Sequence, residues 1–123
     1  MNFKDLGISE PLVQVLKKSG ITTPTSIQEE CIPLIKDYKD VIAQAQTGTG
    51  KTLAFLLPLF ENISLDVFAT QALIITPTRE LALQITEEAN QLAKGKAINV
   101  LAAYGGRNIG SQLNKLKGTI HLI

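Results

Sequence analysis

The chain is predicted to be an α/β domain, a parallel sheet with helices on both faces, and three observations predict it. Short apolar segments recur near residues 40–43, 72–75, 98–103 and 119–123, each too brief for a helix. Between the first three lie longer stretches whose apolar residues follow the helical period. Segments that are apolar on both sides and alternate with helices are characteristic of parallel strands joined by right-handed crossovers.

Taken in order, Ser9 is placed to cap a first helix that carries Leu12, Val13, Val15 and Leu16 and stops near Gly20. Thr25 is placed to cap a second, running to about residue 35. Residues 40–43 read as a short buried strand, followed by a glycine-bearing loop and a helix over about 51–62. A strand at 72–75, a helix from 78 to about 94, a strand at 98–103, a short helix near 109–116 and the segment 119–123 complete the chain. No repeat, low-complexity tract or Pro/Gly/Ser-rich linker divides it, so the 123 residues are expected to form one domain.

Composition narrows the classes. The chain is 45% hydrophobic and 19% charged, enough to bury a core. Its formal net charge of +1 gives no global attraction to nucleic acid, so any such binding must be local. The polar start and the longest apolar run, interrupted by Pro58, predict a soluble cytoplasmic protein with no membrane partner. The single cysteine, Cys31, forms no internal disulfide and reads as a small buried hydrophobe.

The loop Ala45-Gln46-Thr47-Gly48-Thr49-Gly50-Lys51-Thr52 carries the chemistry. It stands between an apolar strand and a helix that opens with Lys-Thr, which is the P-loop arrangement for binding a nucleoside triphosphate. Gly48 and Gly50 permit positive φ and close approach to phosphate oxygens. Successive N–H groups and the helix dipole then face the anion. Lys51 supplies the full positive charge at the terminal phosphates, and the Thr52 hydroxyl is placed to ligate Mg²⁺. Ala45 stands where the general pattern has glycine, which is tolerated at negative φ.

A second stretch, Gly20-Ile21-Thr22-Thr23-Pro24-Thr25-Ser26-Ile27-Gln28, has two readings. Thr25 and Gln28 form a T-x-x-Q capping box. The Gln28 amide also offers a donor and an acceptor side by side, the complement of adenine N6 and N7. One amide serves both roles only in part.

Together with Phe3, these stretches, then Pro77-Thr78-Arg79-Glu80-Leu81-Ala82 and Gly105-Gly106, resemble the DEAD-box RNA helicases in order and spacing. The resemblance extends from Phe3 to the last residue, and it implies a RecA-like P-loop fold, here truncated after about four strands. Residues 1–36 correspond to the helical region with the Q motif, and 37–123 to an incomplete P-loop α/β core. The resemblance makes Gln28 the reader of adenine, Phe3 its upstream aromatic and Ile21 the residue against the base. The cofactors it implies are ATP and Mg²⁺. It assigns Pro77, Thr78, Arg79, Gly105 and Gly106 to the backbone of single-stranded or short duplex RNA. Such contacts position and do not read sequence, so the binding is expected to be sequence-nonspecific. Physically, Thr78 can cap a helix whose N–H groups face a phosphate, with Arg79 as bidentate cation. Equally, these are ordinary helix-start residues with Arg79 paired in solvent, and Gly105-Gly106 a plain turn.

Departures from the family pattern carry expectations of their own. Ile21 replaces a common aromatic and weakens stacking on the base. Tyr38 replaces a glycine in the turn before the P-loop strand. His121, in an apolar segment, reads as structural. The chain carries neither the Asp-Glu-Ala-Asp segment nor the Ser-Ala-Thr segment of the family, nor a second RecA-like domain with its arginine finger. Lys51 and Thr52 are therefore expected to act in catalysis only in a full-length RNA-stimulated ATPase, and these 123 residues alone to be inactive. Uncovered strand edges are expected to make the piece marginal or prone to self-association. Two other readings stay open: a P-loop translocase acting on DNA, and a catalytically silent module that holds nucleotide or RNA.

Overall fold

In the first half of the chain, local hydrogen bonds that the sequence encodes fix both ends of one helix and the C-terminus of the helix before it. The computed structural model describes residues 1–104 and 119–123; the expected helix near 109–116, and Gly105 and Gly106, lie outside the described residues. Within these the chain divides into two units, Met1–Asn62 and Ile63–Ile123.

In the first unit, α1 spans Glu10–Lys18, α2 Ser26–Lys36 and α3 Lys51–Asn62. Ser9 stands at the N-cap of α1, yet its hydroxyl does not cap. It donates instead to Glu61 Oε1 on α3 at 2.9 Å, and the Ser9 N–H reaches the same oxygen at 2.8 Å. Pro11 in the first turn removes one of the N–H groups that a cap would serve. At α2 the expected capping box is formed in both directions by Thr25 and Gln28.

Both α1 and α2 stop in a Schellman motif. Gly20 N–H donates to Lys17 O and Ile21 N–H to Leu16 O; Tyr38 N–H donates to Ile35 O and Lys39 N–H to Leu34 O. The motif needs a left-handed residue, and Gly20 supplies it at φ +80°. At the end of α2 that position falls to Tyr38, whose φ is +59° and whose ring is exposed. A side chain in this region costs about 1–2 kcal/mol, partly offset by the greater freedom glycine has when unfolded. Tyr38→Gly is expected to stabilise the chain by about 1 kcal/mol, read as a higher urea midpoint at unchanged m; an unchanged or lower midpoint would show that the turn is not strained.

The core of this unit includes Leu12 and Leu16 from α1, Ile32 from α2 and Leu56, Leu57 and Phe60 from α3, all buried. Cys31 is buried among them, and burial pushes its thiol pKa up, away from the reactive thiolate. Residues 40–43 depart from expectation. They carry no β-bridge among the described residues, and Ile42 is fully exposed at 103%. A strand is made by its neighbours, and no described segment pairs with this one.

In the second unit, α4 spans Arg79–Leu92 and begins, as expected, at Thr78, whose Oγ1 accepts from Leu81 N–H at 3.2 Å. Parallel bridges join Leu122 to Ala72 on one side and to Val100 on the other. The segment 119–123 therefore lies between the two that precede it in sequence, with Ile120, His121 and Leu122 buried. Its bonds run to both sides: Ile74 N–H to Ile123 O at 2.8 Å and Leu101 N–H to Leu122 O at 2.9 Å. The expected strands at 72–75, 98–103 and 119–123 thus pair in parallel, although each is reduced to a single bridged residue. His121 has the structural role expected of it, its Nδ1 accepting the Asn99 N–H at 3.0 Å. Leu73 and Ile75 alternate outward along 72–75, exposed at 66% and 84%.

Candidate nucleotide and RNA sites

The P-loop is shaped as its sequence requires. Gly48 and Gly50 take φ of +82° and +84°, whereas Ala45 is not among the residues with positive φ. Thr49 Oγ1 donates to Gln46 O at 2.6 Å and closes the turn on itself. A Cβ built on Gly48 meets nothing within 4 Å, so the space above this glycine is open to a ligand. Lys51 and Thr52 begin α3, with Lys51 exposed and Thr52 half-buried. Lys51 makes no salt bridge among the described residues. Cation, helix N-terminus and glycine turn thus coincide, and this is a cradle that a polyphosphate fits.

Gln28 is 2% exposed, and each half of its amide is engaged. Oε1 accepts from Thr25 N–H at 2.9 Å and Nε2 donates to Gly50 O at 3.1 Å. The Gly50 carbonyl also accepts from Ala54 N–H, in the first turn of α3. A cap of α2 and the last glycine of the P-loop are therefore tied by one side chain. The amide keeps one N–H and one lone pair beyond these bonds. A Cβ on Gly50 would fall onto the Gln28 amide nitrogen and lie 3.2 Å from Thr25 Oγ1, so the close approach requires glycine here.

Gly20, Ile21, Thr22, Thr23 and Gln28 line one cleft with Gly48, Gly50 and Leu53, of about 390 Å³. The two stretches that the sequence singles out are brought together. Phe3 is different: its ring is 2% exposed in the core, and its carbonyl accepts from Leu6 and Ile8 N–H groups. It does not line the cleft.

The second unit has its own concavity, of about 460 Å³, along 73–79, one side of α4 and 100–104. Pro77, Thr78 and Arg79 form one rim. The Arg79 guanidinium lies over the Tyr104 ring, 5.3 Å from its centroid. Tyr104 was not singled out from the sequence; the signal that would have found it is an aromatic residue immediately before Gly105-Gly106. Glu88, farther along α4, has its carboxyl pKa raised by burial and by neighbouring Glu87.

Parallel segments, crossover helices and a glycine loop opening a helix with Lys-Thr define an α/β protein of the P-loop class. The DEAD/DEAH box helicase family model matches residues 25–123, and the chain belongs to that family. It is 50% identical over 95% of its length to the ATP-dependent RNA helicase CshA of Limosilactobacillus reuteri. With the DEAD-box ATP-dependent RNA helicase CshA of Geobacillus kaustophilus it shares 44% identity over 98% of its length. The chain spans about a quarter of the length of these relatives, 24% and 26%. Its whole length superposes on a DEAD box protein of Methanococcus jannaschii with a TM-score of 0.89 at 36% identity, covering 34% of that chain. The RNA helicase Prp28 of Chaetomium thermophilum, bound to ADP, matches 99% of this chain with a TM-score of 0.88 at 36% identity, over 31% of its own length. The fold is thus the RecA-like α/β fold of that family.

Proposed function

We propose that these residues supply the adenine-nucleotide site and part of the RNA-backbone surface of an ATP-dependent RNA helicase. The observation that carries this is the single cleft formed by the Gly20–Gln28 stretch and the P-loop, with positive φ at Gly48 and Gly50. In this reading Ala45, Gln46, Thr47, Gly48, Thr49 and Gly50 enclose the phosphates with backbone N–H groups, and Lys51 neutralises their terminal charge. Thr52 ligates magnesium. Among the described residues no group of three or more His, Cys, Asp or Glu could hold a metal, so the ion would be held through Thr52 and the phosphates themselves. ATP with magnesium then supplies the phosphoryl group whose transfer a full-length helicase couples to RNA.

Adenine lies against Ile21 in this reading, and Gln28 reads it with the N–H and lone pair left over from its bonds to Thr25 and Gly50. Phe3 acts from the core and not by contact. Pro77, Thr78 and Arg79, with Gly105 and Gly106, meet the RNA backbone without reading its sequence. The RNA helicase names of the relatives support RNA over DNA. A cytoplasmic setting suits the one cysteine, Cys31, which is free and buried; among the described residues no helix is long and apolar enough to cross a membrane. Exposed Ile42, Leu73 and Ile75 favour association of the isolated chain with itself, and sedimentation velocity showing a monomer across a wide concentration range would exclude that.

The test is calorimetric titration of the chain with ATP-Mg²⁺ and with GTP-Mg²⁺, using Lys51→Ala and Gln28→Ala. ATP binds selectively in the expected outcome, Lys51→Ala loses affinity for both nucleotides, and Gln28→Ala loses the preference. Equal binding of ATP and GTP by the wild-type chain would remove the adenine-reading role from Gln28.

A further inference from the structure

Thr49 stands between the two left-handed glycines of the P-loop, and its Oγ1 donates to Gln46 O at 2.6 Å. The hydroxyl reaches back three residues along the chain, a local bond that threonine makes readily. Among the described residues the N–H groups of Thr47, Gly48 and Thr49 make no hydrogen bond. Thr49 does not line the cleft that Gly48 and Gly50 share with Ile21 and Gln28; it lines a second one, with Ser26, Glu30 and Ala45.

We propose that Thr49 is a positioning residue for the phosphates of the nucleotide: its hydroxyl pins the Gln46 carbonyl and thereby orients the Thr47 N–H toward the anion. This role rests on the nucleotide-binding reading above. The Gln46–Thr47 peptide bond is trans, so its C=O and N–H point in opposite directions and neither turns without the other. A glycine-bearing turn can rotate such a unit at little cost, because glycine accepts both signs of φ. Rotated, the Gln46 oxygen would present partial negative charge to the phosphates where the concavity needs a donor. With the carbonyl held by Thr49, the N–H groups are directed before the ligand arrives, and binding is spared that ordering. The bond needs a hydroxyl and no other part of the side chain, so serine can replace threonine and valine cannot. Because only the phosphate cradle is affected, the preference for adenine is unchanged.

The experiment titrates the full chain calorimetrically with ATP-Mg²⁺, GTP-Mg²⁺ and inorganic tripolyphosphate, for wild type, Thr49→Ser, Thr49→Val and Thr49→Ala. Thr49→Val and Thr49→Ala are each expected to weaken ATP and tripolyphosphate about 3- to 10-fold, the scale of one hydrogen bond, with the ratio of ATP to GTP affinity unchanged. Thr49→Ser restores wild-type affinity. Amide spectra supply a readout that a merely structural threonine would not move. At saturating tripolyphosphate the Thr47 N–H resonance shifts strongly in wild type and Thr49→Ser, and weakly in Thr49→Val. Wild-type affinity in Thr49→Val would overturn the positioning role, as would a loss that Thr49→Ser shares or one confined to ATP.

The chemical shift of the Gln46 carbonyl carbon reports the hydroxyl bond without any ligand, and separates this role from the function it rests on. A shift that Thr49→Val alters and Thr49→Ser keeps, with no binding of ATP or tripolyphosphate by the wild type, overturns the nucleotide reading and the positioning role together. Nucleotide binding by a chain whose Gln46 shift is the same in Thr49→Val overturns the positioning role alone.

Discussion

Gly50→Ala is expected to destabilise the chain by about 2–3 kcal/mol and to abolish measurable ATP binding. Two costs add. Left-handed φ at +84° costs a residue with a Cβ about 1–2 kcal/mol. The new methyl would also fall onto the Gln28 amide nitrogen, displacing the bond from Nε2 to Gly50 O at 3.1 Å. Losing a buried hydrogen bond of this kind costs about 1 kcal/mol more. The sum is a large share of the roughly 5–15 kcal/mol that holds a small domain together. Binding is lost because a turn that relieves the clash no longer directs its N–H groups at one anion. Urea unfolding and calorimetry on the same preparation check both parts. A midpoint equal to wild type would mean that the Gln28 amide can move aside freely, and the proposed tie between α2 and the P-loop would be wrong. Gly48→Ala serves as the comparison, since a Cβ at Gly48 meets nothing and only the φ cost at +82° remains.

Lys51→Ala is expected to give the opposite pattern: binding falls about 10- to 100-fold with the melt unchanged. Lys51 is exposed in the first turn of α3, where a positive side chain gains nothing from the helix dipole. Its removal costs no packing, and alanine is a better helix former. Toward a triphosphate the same amine makes a charge-assisted hydrogen bond worth about 1.5–3 kcal/mol. Adjacent positions thus separate into one that builds the site and one that binds through it. Full retention of ATP affinity in Lys51→Ala, at moderate salt, would move the phosphates away from this loop.

Local signals account for how much of the fold could be read in advance. Thr25 and Gln28 mark the start of α2 by a capping box that is self-contained within four residues, and it is present. Gly20 marks the stop of α1, and α3 runs over Lys51–Asn62 as expected. Tyr38, noticed as standing in place of a glycine, occupies the left-handed position that favours one. Ser9 misled because its position is that of a cap while its hydroxyl has a long-range partner, Glu61. Residues 40–43 misled for the same reason in reverse: an apolar run states that a strand would be buried, and only a partner can bury it. Tyr104 escaped notice because its place before Gly105-Gly106 is the one local signal it carries, and its contact with Arg79 depends on a partner distant in sequence.

By itself, then, the sequence determined the P-loop, the helix limits set by caps and glycines, the α/β class and, through motif spacing, the family. These depend on φ preferences and on hydrogen bonds spanning three or four residues, which are the same wherever the chain folds. Only the tertiary structure decided that 119–123 pairs between 72–75 and 98–103, that the Gln28 amide, whose oxygen accepts from Thr25 in the capping box, also donates from its nitrogen to Gly50 O, and that Arg79 rests on Tyr104. Each of those contacts except the Thr25 bond joins residues more than twenty positions apart, and which such pairs meet is set by how helices and strands pack, not by the residues on either side of them.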